Sequence, residues 1–302
     1  MNNSFLYALT VVIWGTTWIA INYQLGNVAP EVSVVYRFAL ASGMLFIWAK
    51  FRKLPLKFAF KYHLNFLGLG VFLFALNYLL LYNAQQHINS ALTATAFSTL
   101  MIFNIINARL WYKTPIGKQV YLGASLGLVG IVTLFWPQIT DVEFGQATLF
   151  GLGLCLIGTV SASMGNMISI KNQQVKLPVL QTNAWAMMYG TLFMTLIALI
   201  KGDSFTFDFN FSYISSLIYL SLFGSVIAFG CYLTLMTRIG AHKTSYANIL
   251  FPAVAVVIST FVEDFHWSIF TIMGFGCILL GNLVILSKPR KAKKVTKMTA
   301  TA

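Results

Sequence analysis

Charged side chains are scarce in this sequence: they make up 9% of its 302 residues, whereas a soluble globular domain carries about 25%. So few charges cannot cover a surface that faces water on all sides, and the mean hydropathy of +0.76 agrees with this. No long polar segment interrupts the apolar runs, which argues against an inserted soluble domain. The sequence therefore predicts an all-α integral membrane protein, because helices satisfy their backbone polar groups without water.

Acidic and histidine side chains are missing from the centres of the apolar runs. The seven acids and four histidines lie in loops or near the ends of runs, so a relay of buried carboxylates for proton coupling has no obvious position. The three cysteines fall within apolar runs as small core residues, which argues against a disulfide framework. No basic segment precedes the first apolar run, so we expect no cleavable signal peptide. We also expect no metal and no cofactor.

Ten apolar runs are long enough to cross a bilayer, which takes roughly 20 residues of helix. Short connections with turn signals such as "GNVAP", "TPIG" and "KGD" separate them. The predicted spans 1 to 10 are, in order, Phe5–Leu25, Glu31–Ala49, Leu64–Asn83, Ala91–Tyr112, Lys118–Trp136, Ala147–Ile170, Val179–Ile200, Ser212–Leu235, His242–Val262 and Trp267–Ser287.

Basic residues concentrate on one side of these spans. Eighteen of the twenty Lys and Arg residues follow even-numbered spans or lie in the tail, whereas the acids lie at the opposite face. Since Lys and Arg favour cytoplasmic loops, we expect both termini in the cytoplasm of a cell-membrane protein, and we call the acidic face the outer face. The tail, residues 288–302, is interpreted as a topology anchor or as a patch for anionic lipid. This distribution of a net charge of +13 favours a lipid bilayer as partner and no nucleic acid.

An internal repeat relates the two halves of the chain. Residues of spans 3–5 recur in spans 8–10 at a fixed offset of 151 residues, as in Ile88 and Ile239, Thr93 and Thr244, Ala96 and Ala247, Gly123 and Gly274, Leu128 and Leu279, and Gly130 and Gly281. Each half, residues 1–137 and 146–287, then holds five spans, and an odd number makes the second half enter the membrane from the opposite side. Inverted repeats around a midplane site are an architecture of secondary transporters, which work by alternating access.

Several stretches resemble the drug/metabolite transporter superfamily, in particular its EamA-type members. "VIWGTTWIAI" is similar to their Trp-Gly motif in span 1, and "YRFALAS" to their Arg-Phe in span 2. "YNAQQHINSALTATAF" and "LTLMTRIGAHKTSYANILFP" resemble their paired helix–turn–helix segments, and "GASLGLVGIVTL" and "GFGCILLGNLVIL" the small-residue spans that close each repeat. The resemblance implies ten helices in a monomer or homodimer. It also implies export or exchange of small organic metabolites, amino acids included, rather than enzyme activity.

Two positions depart from the pattern of that family. Met101 stands in span 4 where members often have Pro, although Pro252 is kept at the matching position of span 9. Tyr112 stands after span 4 where a Glu is common, whereas Glu263 occupies the matching place after span 9. These departures argue against one hinge mechanism shared by both halves.

Aromatic and polar residues in the outer half of the spans form a candidate site for a solute. Trp14, Trp18 and Asn22 follow one another at intervals of four and share one face of span 1. Arg37 and Trp18 each lie six or seven residues from the outer end of their spans, which corresponds to a depth of about 10 Å. From span 3 the same level is reached by Asn77 and Tyr78.

Deeper polar candidates complete the predicted site: Asn104, Ser161, Asn166, Tyr232 and Asn248. Pro252 has no N–H to donate to the carbonyl of Asn248, so that carbonyl is free for a water or a solute. Such residues also have structural interpretations. Trp18 fits an aromatic belt at the membrane surface, and any one Asn fits a hydrogen bond between helices.

Arg37 has three interpretations. It reaches the outer headgroups, or it braces the bundle through carbonyls or Glu31, or it faces the cavity and attracts a carboxylate. The last two are compatible. An unpaired charge at this depth costs a few kcal/mol, so we expect a polar partner such as Asn22, Asn77 or Tyr78.

The leading hypothesis for function is a secondary transporter of small organic solutes, with a zwitterionic amino acid as the solute that fits best. An Arg guanidinium binds its carboxylate, and aromatic faces or carbonyls bind its ammonium. The alternatives are a membrane-embedded enzyme and a channel or non-transporting scaffold.

Overall fold

The structure is a computed structural model that describes residues 2–113, 115–140, 145–239 and 247–286, and within these ranges it is all-helical, without a β-strand. Two π-helical segments, Gly70–Leu76 and Leu220–Ile227, join α3 to α4 and α10 to α11. The α-helices are α1 (Asn3–Asn22), α2 (Pro30–Phe51), α3 (Phe60–Leu69), α4 (Asn77–Ala84), α5 (Ser90–Phe97), α6 (Leu100–Tyr112), α7 (Lys118–Thr140), α8 (Gly145–Gln174), α9 (Val179–Lys201), α10 (Phe211–Tyr219), α11 (Ala228–Ile239), α12 (Ala247–Val262) and α13 (Ile269–Leu286).

The length and apolarity of these helices identify a multi-pass membrane protein. In the described part of the chain, eight helical stretches are long and apolar enough to cross a membrane, and two further apolar helices, Leu250–Val262 and Ile269–Ile285, are shorter. The prediction of an all-helical membrane protein is therefore confirmed. The predicted start of span 9 at His242 lies outside the described residues.

Local sequence explains where several helices begin and end. Asn2 and Asn89 cap α1 and α5, since their side-chain oxygens accept the backbone N–H groups of Ser4 at 3.3 Å and Leu92 at 2.9 Å. Pro30 begins α2, at a position where a helix does not need the missing N–H. Gly202 follows α9 with a φ of 74°, a left-handed conformation that glycine adopts without strain.

Span 4 is interrupted where the sequence predicts one continuous helix. Ser98 and Thr99 lie between α5 and α6, and each hydroxyl donates at 2.7 Å to the carbonyl three residues earlier. Such local side-chain bonds compete with the backbone bonds of a helix.

Close backbone contact joins α7 to α13. A Cβ atom built on Gly123 would lie 2.5 Å from the backbone oxygen of Gly281, and one built on Gly130 would lie 2.7 Å from that of Gly274. Small residues that let two backbones approach are typical of helix pairs in membranes. These four glycines are the ones that the 151-residue offset relates, so each glycine faces its own counterpart's helix.

Replacing Gly130 by Ala is expected to destabilise the protein by about 1–3 kcal/mol, because an added methyl group in a filled contact forces the helices apart. Thermal unfolding in detergent measures the effect. The control is Gly153→Ala in α8, where an added Cβ has no neighbour within 4 Å and alanine is the better helix former. Equal melting temperatures for Gly130→Ala and the parent protein would contradict close packing of α7 on α13.

Two clusters of buried apolar residues form the core. The first surrounds Phe38 of α2, Phe74 of the π-helical segment and Met187 of α9, and the second surrounds Trp18 of α1 and Phe251 of α12. Phe97, the last residue of α5, packs against both clusters. The cavity described below lies where the two clusters meet.

Candidate functional site

A cavity of about 90 Å³ lies between helices from both halves of the chain. By the same measure a single water molecule needs about 10–15 Å³, so the cavity has room for several waters or for a small organic solute of similar bulk. The wall contains seven aromatic residues, four polar ones and five aliphatic ones, namely Trp14, Trp18, Tyr78, Phe97, Phe229, Tyr232 and Phe251; Thr17, Asn77, Asn166 and Asn248; and Ile21, Leu73, Leu81, Leu100 and Ala162.

Seven of the eleven residues that the sequence proposes for the site line this cavity, namely Trp14, Trp18, Asn77, Tyr78, Asn166, Tyr232 and Asn248. Asn104 lies behind the wall, where its Oδ1 accepts a hydrogen bond from Asn166 Nδ2 at 3.2 Å. Asn22 and Arg37 do not line the cavity. Ser161, a further polar candidate, donates at 2.7 Å to the carbonyl of Phe72. Whether the seven residues bind a solute stays a prediction.

Aromatic residues are the largest group in the wall. The ring of Trp14 lies 4.9 Å from that of Tyr232, and Trp18 lies 5.3 Å from Phe97 and 6.1 Å from Phe251, measured between ring centroids. Trp18 is only 6% exposed, so it lies inside the protein and not in a belt at the membrane surface. The rings offer flat apolar and cation-binding faces to a solute.

Two fully buried polar atoms of wall residues have no hydrogen-bond partner among the described residues. They are Nε1 of Trp18, a donor, and Oδ1 of Asn77, an acceptor, on side chains that are 6% and 2% exposed. The neighbouring Trp14 differs, since its Nε1 donates to the carbonyl of Gly224 at 3.3 Å. A buried polar atom without a partner costs about 1–3 kcal/mol, so both atoms are suited to bind polar groups of a solute or water.

The two π-helical segments shape this part of the molecule. Adding 151 to Gly70–Leu76 gives 221–227, and the second segment is Leu220–Ile227, so the two irregularities occupy matching positions in the repeat. The first contributes Leu73 to the cavity and leads directly into Asn77. Short π-helical segments are frequent at functional sites. Sequence reasoning missed both, because neither contains a proline that would mark a break in the helix.

Arg37 is buried at 1% exposure, which excludes an interpretation as a headgroup-seeking side chain. Its Nε donates to Ser225 Oγ at 3.2 Å, and its Nη1 donates to Tyr82 Oη at 3.4 Å. Its guanidinium carbon lies 4.5 Å from the ring centroid of Tyr78. Arg37 therefore braces α2 against α4 and the second π-helical segment, and it reaches the cavity only through the ring of Tyr78.

Three of the partners proposed for Arg37 bind other residues, so those predictions are wrong. Asn22 donates to Glu263 instead, because one more helical turn beyond Trp18 carries its side chain past the cavity to the outer end of α1. Asn77 Nδ2 donates at 3.4 Å to the carbonyl of Leu73 in its own span. Glu31, proposed as a bracing partner, forms an ion pair with Lys201.

Sequence reasoning missed Thr17, Tyr82 and Ser225. The position of Tyr82 carried a signal, since it follows Tyr78 by four residues and so shares a face of the helix. Ser225 carried none, because it is 188 residues from Arg37 and Ser is common in membrane helices.

The family model and the two relatives described next are all named as transporters. The sequence model of the EamA-like transporter family matches residues 3–136 and 149–287. The chain is 28% identical over 298 residues to the "Uncharacterized inner membrane transporter YedA" of Escherichia coli K12, covering 94% of this chain and 92% of that protein. It is also 28% identical to an "Uncharacterized transporter in trpA 3'region" of Buchnera aphidicola, covering 87% of this chain and 84% of the relative.

A solved crystal structure has the same fold. It matches with a TM-score of 0.69 and 13% sequence identity, and the match covers 93% of this chain and 95% of the other. The family match, which extends over both halves of the chain, confirms the resemblance that the sequence motifs indicate. The chain therefore belongs to the EamA-like transporter family and is a multi-pass membrane transporter.

Proposed function

We propose that this protein is a secondary transporter that exports or exchanges small zwitterionic metabolites, with amino acids as the best-fitting class. The proposal is carried by one observation: two residues that line a cavity between the two halves of the chain, Trp18 and Asn77, hold a buried donor, Nε1, and a buried acceptor, Oδ1, without a partner among the described residues. A zwitterion supplies the complementary groups. Its carboxylate accepts from the indole N–H, and its ammonium donates to the amide oxygen.

Aromatic rings and a nearby charge support the same class of solute. The rings of Trp14, Phe229 and Phe251 provide an apolar wall for a side chain. Arg37 lies behind the wall residue Tyr78, with its guanidinium carbon 4.5 Å from the centroid of that ring. Its positive charge favours a solute that carries a carboxylate over one that is only cationic.

The two separate family matches support an architecture of two inverted five-helix repeats, residues 1–137 and 146–287, with ten spanning helices in all. The matching positions of the two π-helical segments support it as well. In this architecture the halves exchange roles when the cavity opens to one face and then to the other. The bilayer is the protein's environment, both termini lie in the cytoplasm by the distribution of Lys and Arg, and the assembly is a monomer or a homodimer.

Counterflow in proteoliposomes tests the proposal. Vesicles loaded with an unlabelled amino acid are expected to accumulate the labelled amino acid transiently, and uptake is expected to saturate. A channel gives no counterflow, and a scaffold or enzyme gives no uptake. Each amino acid is tested beside the amine that lacks its carboxylate. Equal counterflow of amine and amino acid would contradict the zwitterion class, and absence of counterflow for all organic solutes tested would contradict the transporter mechanism.

A further inference from the structure

The carboxylate of Glu263 ties together the outer ends of three helices. It follows α12 directly and accepts hydrogen bonds from Asn22 at the end of α1 and from Ser259 in the last turn of α12. It also accepts from Ser90 at the start of α5, from the backbone N–H at 3.3 Å and from the hydroxyl at 2.5 Å. We call Asn22, Ser90, Ser259 and Glu263 the outer latch.

An aromatic layer lies directly beneath the outer latch, on the same three helices. Trp18 of α1, Phe97 of α5 and Phe251 of α12 are in mutual contact, with ring centroids 5.3, 6.1 and 6.4 Å apart. All three rings also line the cavity. The outer end of the cavity is therefore closed twice, first by rings and then by a carboxylate that accepts four hydrogen bonds.

The inner face does not repeat this arrangement. The position 151 residues before Glu263 is Tyr112, at the end of α6, and its hydroxyl donates at 2.7 Å to the carbonyl of Met167 in α8. The position that matches Ser259 is Ala108, and the one that matches Ser90 is Ala241. Where the outer face has a charged acceptor, the matching inner position thus has a hydroxyl that makes a neutral hydrogen bond, and bonds to a charged group are about twice as strong as neutral ones.

We propose that Glu263, through the outer latch, holds the outer gate shut. The conformation that is closed at the outer face is then the resting state of the protein. This proposal rests on the alternating-access function proposed above. Outward opening must separate α1, α5 and α12, and it breaks the three bonds to the carboxylate that cross between helices, from Asn22 and from the N–H and hydroxyl of Ser90. The bond from Ser259 stays within the α12 end and holds the carboxylate in position. The inner gate, held by the Tyr112 hydroxyl, opens more easily.

Distances between spin labels on exposed residues at the outer ends test the latch. Tyr23, after α1, and Gln86, before α5, are both exposed and lie on opposite sides of the gate. With labels at Tyr23→Cys and Gln86→Cys, in a background without the three native cysteines, the parent protein is expected to give one short distance. Glu263→Gln keeps the shape of the side chain but replaces one acceptor oxygen by a donor. It is expected to raise the longer-distance population by at least about tenfold, as expected for loss of one hydrogen bond to a charged group.

Asp264→Asn is the matched control, because it removes the same charge from the adjacent, exposed residue. Asparagine also tolerates the left-handed backbone there, where φ is 50°. A distance distribution for Glu263→Gln equal to that of the parent, or an equal shift for Asp264→Asn, would overturn the latch. If Glu263→Gln does not fold, Ser90→Ala replaces it, because the Ser90 hydroxyl joins α5 to the carboxylate. A smaller shift in the same direction is expected, and no shift would count against the latch.

Counterflow assays of the same variants separate the two proposals. A parent protein without counterflow contradicts the transporter mechanism whatever the distances show. A parent protein with counterflow and an unaltered distance in Glu263→Gln contradicts the latch alone.

Discussion

Replacing Trp18 by Phe is expected to weaken the binding of a zwitterionic amino acid by about 10- to 100-fold, because a hydrogen bond to a charged group contributes about 1.5–3 kcal/mol. The change removes the indole N–H, which has no partner among the described residues. It keeps an aromatic ring against Phe97 and Phe251. The affinity for the decarboxylated amine is expected to stay within about threefold of the parent value, since no carboxylate bond is lost.

The control for this prediction is Trp48→Phe, because the side chain of Trp48 is 53% exposed and does not line the cavity. Competition of each unlabelled compound with labelled substrate measures the affinities. An equal loss for amino acid and amine in Trp18→Phe would mean that the ring, and not its N–H group, contributes to binding. An equal loss in Trp48→Phe would mean that the effect is general.

Two substitutions of Arg37 are expected to separate its bracing role from its charge. Arg37→Lys keeps the charge but loses the fork that reaches Ser225 and Tyr82 together. It is expected to lower stability by about 1–3 kcal/mol, since buried hydroxyls lose a charged partner. Transport of carboxylate and neutral solutes is expected to fall alike.

Arg37→Met removes the charge and keeps most of the length of the side chain. A charge about 8 Å from the solute contributes roughly 2 kcal/mol at an effective dielectric constant of about 20, so the preference for carboxylate solutes is expected to fall by about tenfold or more. Thermal unfolding and competition with pairs of amino acid and amino amide measure the two effects. Loss of carboxylate preference in Arg37→Lys with normal stability would show that the guanidinium itself contacts the solute.

The sequence predicts the helices well, because spanning length and apolarity are local properties. The i, i+4 spacing of Trp14 and Trp18 is local as well, and both residues line the cavity. Asn22 continues the same spacing, yet it contacts Glu263. A shared helix face fixes the direction of a side chain but not the depth at which the cavity ends.

Contacts between distant segments could not be predicted in the same way. Charge patterning places Glu263 at the outer face, but its partners Asn22 and Ser90 are 241 and 173 residues away. The burial of Arg37 could be expected from its place in span 2, whereas its bond to Ser225 depends on the π-helical segment Leu220–Ile227. That segment contains no proline, which would have marked an irregular helix in the sequence.

Protection of a cavity residue by solute tests the central claim most directly. Asn166→Cys, on the cavity wall, and Met164→Cys, two residues away on α8 and outside the wall, are compared in a background without the native cysteines. A saturating zwitterionic amino acid is expected to slow modification of Asn166→Cys by a small thiol reagent several-fold and to leave that of Met164→Cys unchanged. Half of the maximal protection is expected at the concentration that half-saturates counterflow. Unaltered modification of Asn166→Cys in a protein that still shows counterflow would place the solute elsewhere and contradict the account.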